Sequence, residues 1–277
     1  FQHFDDGPRV LTKGDIQTIL REKRAFWRLA ESTTVSAFIS FLKEKGKLKE
    51  NRFDFAYRPT SRFTWGPVPT LELVQSLDPL GYFSHFTAMQ IHGLTDQIPK
   101  TIYLNVEQNL AGGGSKPTQA GIDRAFRGKC RVSKNSVVFE DQTIQKLNGR
   151  NTGQMGVVEV AQDNMATLRV TNVERTLIDL AVRPIYSGGV YQVAEAYKAA
   201  QSSVSVNRLV AFLRRLEFTY PYHQSIGFFL ERAGNYSDDQ ISLLREFDRE
   251  VDFYVDYGLK ETEYVDEWRL FVPKGFK

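Results

Sequence analysis

Ser32-Thr33-Thr34-Val35-Ser36-Ala37-Phe38-Ile39-Ser40-Phe41-Leu42-Lys43-Glu44-Lys45-Gly46 reads as one amphipathic helix with its own start and stop. Val35, Phe38, Ile39 and Leu42 fall on one stripe at helical spacing, the side a core takes up. The opposite side carries Thr33, Ser36, Ala37 and Ser40, with Phe41 beside it and Lys43 and Lys45 on its flanks. Ser32 stands where an N-cap belongs, and Gly46 where a left-handed residue closes a helix. Small hydroxyl side chains at the start of such a helix fit a DNA major groove. They allow close approach, hydrogen-bond base edges or phosphates, and touch thymine methyls.

Working towards the N-terminus, Thr12 is placed to cap a helix with Asp15 in its first turn, and Ile16, Ile19 and Leu20 recur at helical spacing. A further helical stretch is expected over Ala25–Ala30, with Phe26, Trp27 and Leu29 as buried candidates. Towards the C-terminus, Leu48–Phe55 and Arg62–Trp65 read as two strands joined by a turn at Pro59-Thr60-Ser61. Three helices and a two-stranded wing make a winged helix-turn-helix over residues 1–66. Its expected DNA-binding set is Ser32, Thr33, Thr34, Ser36 and Ser40 on the helix, with Lys43, Lys45, Lys47, Lys49, Arg58 and Arg62 as phosphate or minor-groove contacts. A helical subdomain that only packs or dimerises, its lysines being ordinary solvated charges, is the other reading of the same pattern.

Gly66-Pro67-Val68-Pro69 breaks the pattern and sets the expected boundary with a larger mixed α/β domain, residues 67–277, so that the chain as a whole is α+β. Helices are expected over Leu71–Leu77, from Ser84 to His92-Gly93, and over Gly121–Phe126. Strands are expected at Thr101–Val106, Cys130–Val132, Val137–Glu140, Gly156–Val160 and Thr167–Val170, with a loop at Gly112-Gly113-Gly114-Ser115. Thr171-Asn172-Val173-Glu174 reads as a capping box opening a helix to Val182. Helices then follow at Val190–Ala200, Val206–Leu216, Tyr222–Ala233 with Gly234 as a stop, and Asp238–Phe247. Strand-like segments at Asp252–Tyr257 and Glu267–Val272 end the chain.

Charge is unevenly spread. Residues 1–66 carry 13 Lys/Arg against 8 Asp/Glu, whereas residues 235–277 carry 11 acidic against 6 basic. A basic front and an acidic tail point the front at a polyanion. Arg124, Arg127, Lys129, Arg131 and Lys134 form a second basic cluster with no acid between positions 124 and 134, open to a second phosphate-contacting surface or a solvated loop. With 277 residues, 42% of them hydrophobic, the chain excludes disorder and low complexity. No apolar run is long enough to span a bilayer. The start, Phe1-Gln2-His3-Phe4-Asp5-Asp6, has no basic or apolar leader regions and no initiator Met, so no signal peptide and a trimmed or partial start are expected. One cysteine, Cys130, makes neither an internal disulfide nor a zinc site. A cytoplasmic protein without membrane association is expected.

Catalytic patterns fail one by one. Gly113-Gly114-Ser115 followed by Asp123-Arg124-Ala125 lacks the second carboxylate that would hold magnesium in a nucleotidyltransferase. No Gly-Lys-Ser/Thr phosphate loop occurs. Glu159-Val160-Ala161 misses the lysine of a nuclease motif, and Lys260 precedes Glu261 and Glu263 instead of completing one. His85 and His92 lack carboxylate or Cys companions at ligand spacing. No catalytic residue, metal or cofactor is expected.

A set of stretches resembles the AbiEi-type antitoxins and transcriptional regulators of type IV toxin–antitoxin systems. They are Tyr82-Phe83-Ser84-His85-Phe86-Thr87-Ala88 into His92-Gly93-Leu94-Thr95-Asp96-Gln97; Pro99-Lys100-Thr101-Ile102-Tyr103-Leu104; Glu174-Arg175-Thr176-Leu177-Ile178-Asp179 with Arg183-Pro184 and Gly188-Gly189-Val190; Val204-Ser205-Val206-Asn207-Arg208-Leu209; and Tyr220-Pro221-Tyr222-His223-Gln224 with Glu231-Arg232-Ala233-Gly234. The resemblance implies a winged-helix domain on operator DNA at inverted repeats, repressing its own operon, and a larger domain with antitoxin activity. The implied functional partner is a nucleotidyltransferase-like toxin, countered without a stable complex. Solitary regulators without a toxin also occur among such proteins. A protein-interaction module and a nuclease or nucleotidyltransferase are the rival readings.

Overall fold

The computed structural model describes residues 1–109, 117–162 and 166–276; the expected loop at Gly112-Gly113-Gly114-Ser115 lies outside them. Local sequence fixes the first elements. The Thr12 hydroxyl accepts from the Asp15 amide at 3.1 Å, and the Asp15 carboxylate accepts from the Thr12 amide at 2.7 Å. This capping box opens a helix over Lys13–Lys23 (α2). Before it come a single turn at Gln2–Asp5 (α1) and a short strand at Val10–Leu11 (β1); after it come Val35–Lys45 (α3), Leu48–Phe53 (β2) and Thr60–Trp65 (β3). The strands form an antiparallel sheet in the order β1-β3-β2. Ile16 and Leu20 of α2, Phe38, Ile39 and Leu42 of α3, and Leu48, Phe63 and Trp65 of the sheet close one core, joined by Phe4.

Several expectations are corrected here. The connection between α2 and α3 is not a helix. Arg28 has φ 54°, and Phe26 is 82% exposed, although Trp27 and Leu29 do pack inward. The Arg24 guanidinium donates to the carbonyls of Ala30, Glu31 and Thr33, so the segment wraps around one cation in place of a helical ladder. Thr34, not Ser32, caps α3, accepting from the Ala37 amide at 3.1 Å. Gly46 is extended (φ −118°), not left-handed; glycine is needed because a Cβ would lie 2.6 Å from the Trp65 ring. β3 begins at Thr60, so the hairpin connection is residues 54–59.

The larger part follows as Thr70–Gln75 (α4), Tyr82–Phe83 (β4), His85–Ile91 (α5), Thr101–Gln108 (β5), Gln119–Arg127 (α6), Ser136–Phe139 (β6), Gln142–Arg150 (β7), Val157–Val160 (β8) and Leu168–Thr171 (β9). Its helices are Val173–Val182 (α7), Val190–Ala199 (α8), Val206–Leu216 (α9), Tyr222–Ala233 (α10) and Asp238–Arg245 (α11). Phe253–Tyr254 (β10), Thr262–Val265 (β11) and Leu270–Pro273 (β12) end the chain as a small sheet in the order β10-β12-β11. The main sheet runs β6-β7-β5-β4-β9-β8, parallel at β5/β7 and β4/β9 and antiparallel elsewhere. Helices and strands mixed in this way make an α+β chain.

Strand alternation gives the main sheet two different faces. Phe83, Ile102, Leu104, Ile144, Leu168 and Val170 bury against α4 and against Phe53 and Phe55 of the β2–β3 hairpin. Tyr103, on the other face, packs against the helical core, whose largest fully buried side chains include Trp268, Tyr197 and Phe229. Residues 130–132 are a loop, not a strand. The cap of α7 is Asn172, accepting from the Arg175 amide at 2.9 Å; Glu174 is buried and accepts instead from the Ser205 amide at 3.0 Å, so the expected capping box is absent. No described helix is long and apolar enough to cross a membrane.

Candidate nucleic-acid interface

The capped start of α3 and its buried stripe decide what its far side presents. Ser32, Thr34, Ser36, Ala37, Ser40 and Phe41 are exposed and Thr33 is half-buried, whereas Phe38, Ile39 and Leu42 are sealed in the core. None of the described residues covers the hydroxyl-bearing side. Phe41 is 50% exposed and stacks on Phe1 with ring centroids 6.0 Å apart.

The lysines around this helix are exposed but not idle. Lys43 pairs with Glu50 (3.1 Å), Lys45 with Glu44 (2.7 Å), Lys47 with Asp5 (2.9 Å) and Lys49 with Glu140 (3.8 Å). Hydrogen bonds from Lys47 and from the Trp65 indole hold the Asp5 carboxyl below its ordinary range. Exposed pairs of this kind are worth about 0–1 kcal/mol, so phosphates can displace the carboxylates at little cost. Arg58 is exposed at the hairpin connection. Arg62, expected at phosphate, is committed elsewhere. Its guanidinium donates to the Ser76 carbonyl at 2.9 and 2.7 Å and to the Ser61 carbonyl at 2.9 Å, half-buried at the end of α4, and burial lowers its pKa. It braces the hairpin against the larger part of the chain.

The second basic cluster divides. Arg124 and Arg127 lie in the last turn of α6, where Arg127 pairs with Asp123 at 3.6 Å. Lys129 is exposed on the following loop. Arg131 and Lys134, further along it, line a cavity of about 780 Å³. Asn105 of β5 and Leu147 and Gly149 of β7 also line it, with Arg175 and Asp179 of α7 and His85 of α5. Glycine at 149 makes room for the Asn105 amide, which a Cβ would meet at 2.6 Å.

A polar chain runs beside this cavity. Asn105 donates to the Tyr82 hydroxyl (2.6 Å), which donates to Glu107 (3.1 Å). Burial opposes the Glu107 charge, but the Thr152 hydroxyl and the amides of Thr152 and Gln154 donate to it and hold its pKa down. Arg175 donates to the Thr152 hydroxyl (3.2 Å), the Met155 carbonyl (2.9 Å) and Asp179 (2.8 Å). Burial, the largest single influence, works against the Arg175 charge too, but Asp179, Tyr82 and Glu107 together outweigh it. His85, buried with Nδ1 2.8 Å from the Ser84 hydroxyl, is pushed down to about 4 by burial and stays neutral; its backbone has φ 52°. His92 is satisfied through the Thr171 carbonyl at 2.6 Å.

Sequence reasoning assigned no role to Arg150, Arg175, Asp179 or Arg183. Three of them stand in the stretches that carry the family resemblance, and Tyr82 and His85 stand in another. All but Tyr82, which lies beside it, line one cavity, and that convergence is the signal the linear pattern held without showing its geometry.

No protein-family description matches the chain, and no curated protein matches it. Among solved structures, the chain is similar to the crystal structure of the RV2827C protein from Mycobacterium tuberculosis, with a TM-score of 0.59 and 15% identity over 98% of this chain and 88% of that one. At that identity the likeness is one of fold, and it extends over nearly the whole chain.

Proposed function

We propose that the chain is a sequence-specific DNA-binding autorepressor and that residues 1–66 are its winged helix-turn-helix. The observation that carries this reading is the uncovered face of α3, with Ser36, Ala37 and Ser40 exposed along one side. Supporting it, α2 and α3 pack against the three-stranded antiparallel sheet β1-β3-β2, with the single turn α1 in place of the third helix expected over Ala25–Ala30. In this role α3 enters the major groove, and Lys43, Lys45, Lys47, Lys49 and Arg58 hold phosphates. Arg124, Arg127 and Lys129 are a second phosphate-contacting surface. The operator is double-stranded DNA with inverted repeats. On the family resemblance, the larger part carries antitoxin activity against a nucleotidyltransferase-like toxin in the cytoplasm, without a stable complex and without catalysis of its own.

The test is a gel-shift titration with the DNA upstream of the chain's own gene, competed by random duplex. Ser36→Ala and Ser40→Ala should narrow the gap between specific and random competitors while leaving nonspecific affinity in place. No shift at any concentration that keeps the protein monodisperse refutes DNA reading. Co-expression with a neighbouring nucleotidyltransferase gene tests the antitoxin half: growth should be restored, and unrelieved toxicity leaves a solitary regulator.

A second reading rests on the aromatic surface beside the same helix. Phe1 and Phe41 are 54% and 50% exposed, an apolar patch that suits a protein partner. A docking platform predicts no salt-sensitive DNA affinity.

A further inference from the structure

The cavity beside α7 is unusual in its charge. Among the described residues, Arg131, Lys134, Arg150 and Arg183 all line it, and no carboxylate comes within 4.0 Å of any of their charged groups. Asp179, the one acidic lining residue, is already bonded to Arg175 at 2.8 Å. Two of these cations bond to acceptors other than carboxylates, although the Asp256 carboxyl lies near enough to Arg183 to feel its charge. Arg150 donates to the carbonyls of Leu216 (2.8 Å) and Glu217 (3.1 Å), and Arg183 donates to Cys130 Sγ at 3.2 Å with its guanidinium 5.3 Å from the Tyr257 ring centroid. Neutral acceptors fix an arginine without cancelling its charge, which leaves a preorganised positive field in a recess. Arg131 and Lys134 complete it from an exposed loop. The rest of the lining includes Leu147, Val182, Tyr186 and Phe218, a surface for an apolar or aromatic body. His85 at this site keeps a left-handed backbone, the kind of local strain that folds retain at binding sites.

We propose that this cavity binds a small phosphorylated organic molecule of mononucleotide size, its phosphates held by Arg131, Lys134, Arg150 and Arg183 and its organic body on the Leu147, Tyr186 and Phe218 side. The volume, about 780 Å³, lies within the range of ligand pockets, roughly 300–1,000 Å³. Guanidinium groups suit phosphate because their fork pairs with two of its oxygens at once. A cluster that served only solubility would sit on a convex surface and carry intermixed acids; this one is concave and its single acid is neutralised. The site is independent of the DNA-reading proposal, because it needs neither α3 nor the lysines around it.

The experiment is calorimetric titration of the full chain with ATP, with inorganic pyrophosphate and with adenosine. ATP should bind with a Kd below about 100 µM, and pyrophosphate should bind and compete with it. Adenosine should bind at least tenfold more weakly, on the order expected when the charge-assisted contacts are lost. Arg131→Glu with Lys134→Glu, both exposed and outside the core, should weaken ATP at least tenfold. Lys198→Glu with Lys274→Glu makes the same charge change at exposed positions outside the cavity lining and should leave ATP affinity within about twofold, since screening removes most long-range effects. Thermal melts of both double variants check that each is folded. Absence of ATP and pyrophosphate binding up to about 1 mM overturns the proposal. Equal loss in the two double variants overturns it as well, by showing general surface attraction in place of a site.

Discussion

Replacing Lys43, Lys45, Lys47 and Arg58 with Ala in one protein separates phosphate contact from every other role these residues have. The three lysine side chains are 44%, 61% and 64% exposed, and each is paired with a surface carboxylate. Breaking such pairs costs about 0–1 kcal/mol each, so the variant should stay folded. Arg62 is left intact because it braces the hairpin through the Ser76 carbonyl. If each replaced residue neutralises one phosphate, the slope of log K against log salt becomes shallower by about 0.9 per residue, or about 3.6 in all. Between 50 and 200 mM salt, the affinity lost on adding salt then shrinks by about a hundredfold relative to the parent protein. Fluorescence anisotropy with a labelled duplex from the upstream region, repeated across that salt range, reads the slope directly. A slope that changes by less than about 1 refutes the placement of DNA on this face, whatever the absolute affinities.

Three further outcomes are expected. Gly46→Ala should destabilise the N-terminal unit by about 1–3 kcal/mol in urea unfolding, because the new Cβ lies 2.6 Å from the Trp65 ring and 2.7 Å from the Leu42 carbonyl oxygen; an unchanged midpoint means that the ring yields freely. Arg62→Ala should cost about 1–3 kcal/mol by leaving the part-buried Ser76 carbonyl without its donor, and should raise hydrogen exchange on both sides of the junction; protection unchanged in α4 contradicts the brace. Burial pushes His85 and His223 down to about 4, against about 6.5 in an unfolded chain. Each therefore stabilises the fold fully above about pH 6.5 and loses that contribution as pH falls from 6.5 towards 4, by up to ~1.4 kcal/mol per pH unit. His223→Gln should flatten the stability profile in that window, and a profile as steep as the parent's shows that His223 protonates without penalty.

What was legible in the sequence divides along physical lines. Helices α7 to α10 have dense apolar stripes and, at Gly234, a left-handed stop with φ 71°, and they fall within a residue of expectation. The failures are segments where a tertiary partner supplies the reason. β7, Gln-Thr-Ile-Gln-Lys-Leu-Asn-Gly-Arg, holds only two apolar residues, yet Ile144 is fully buried because β5 and β6 pair with it on both sides. Ala25–Ala30 looked helical through Phe26, Trp27 and Leu29, but Arg24 gathers the carbonyls beyond it into a turn. Gly46 stands where glycine usually serves a left-handed backbone, but here it is needed for its missing side chain. At the interface, exposure of Ser36 and Ser40 followed from the α3 stripe alone, whereas the commitment of Arg62 to Ser76 depends on a residue 14 positions away. The cavity was the least legible: its cations come from α7, β7 and two loops, and none makes a linear motif.

The glycine–proline break at residue 66 divides the chain without dividing its energetics. Phe53 and Phe55 belong by sequence to the N-terminal hairpin, yet they are 0% and 3% exposed in the core of the main sheet, with the Phe53 and Phe139 rings 4.7 Å apart. Burying two such rings contributes about 3–6 kcal/mol. The same hairpin is pinned by Arg62 to Ser76 and, from β1's side, by Arg9 to Glu72, while the exposed Lys49–Glu140 pair adds little. Residues 1–66 taken alone would expose both phenylalanines, so the separate stability of the front unit must be lower than its own core suggests. It also follows that α3 is presented at a fixed angle to the main sheet. Tyr57, in the connection of that hairpin, lines the basic cavity as well. Tyr57 is 74% exposed, so it can shift in the cavity mouth without disturbing the buried Phe53 and Phe55 that anchor the hairpin.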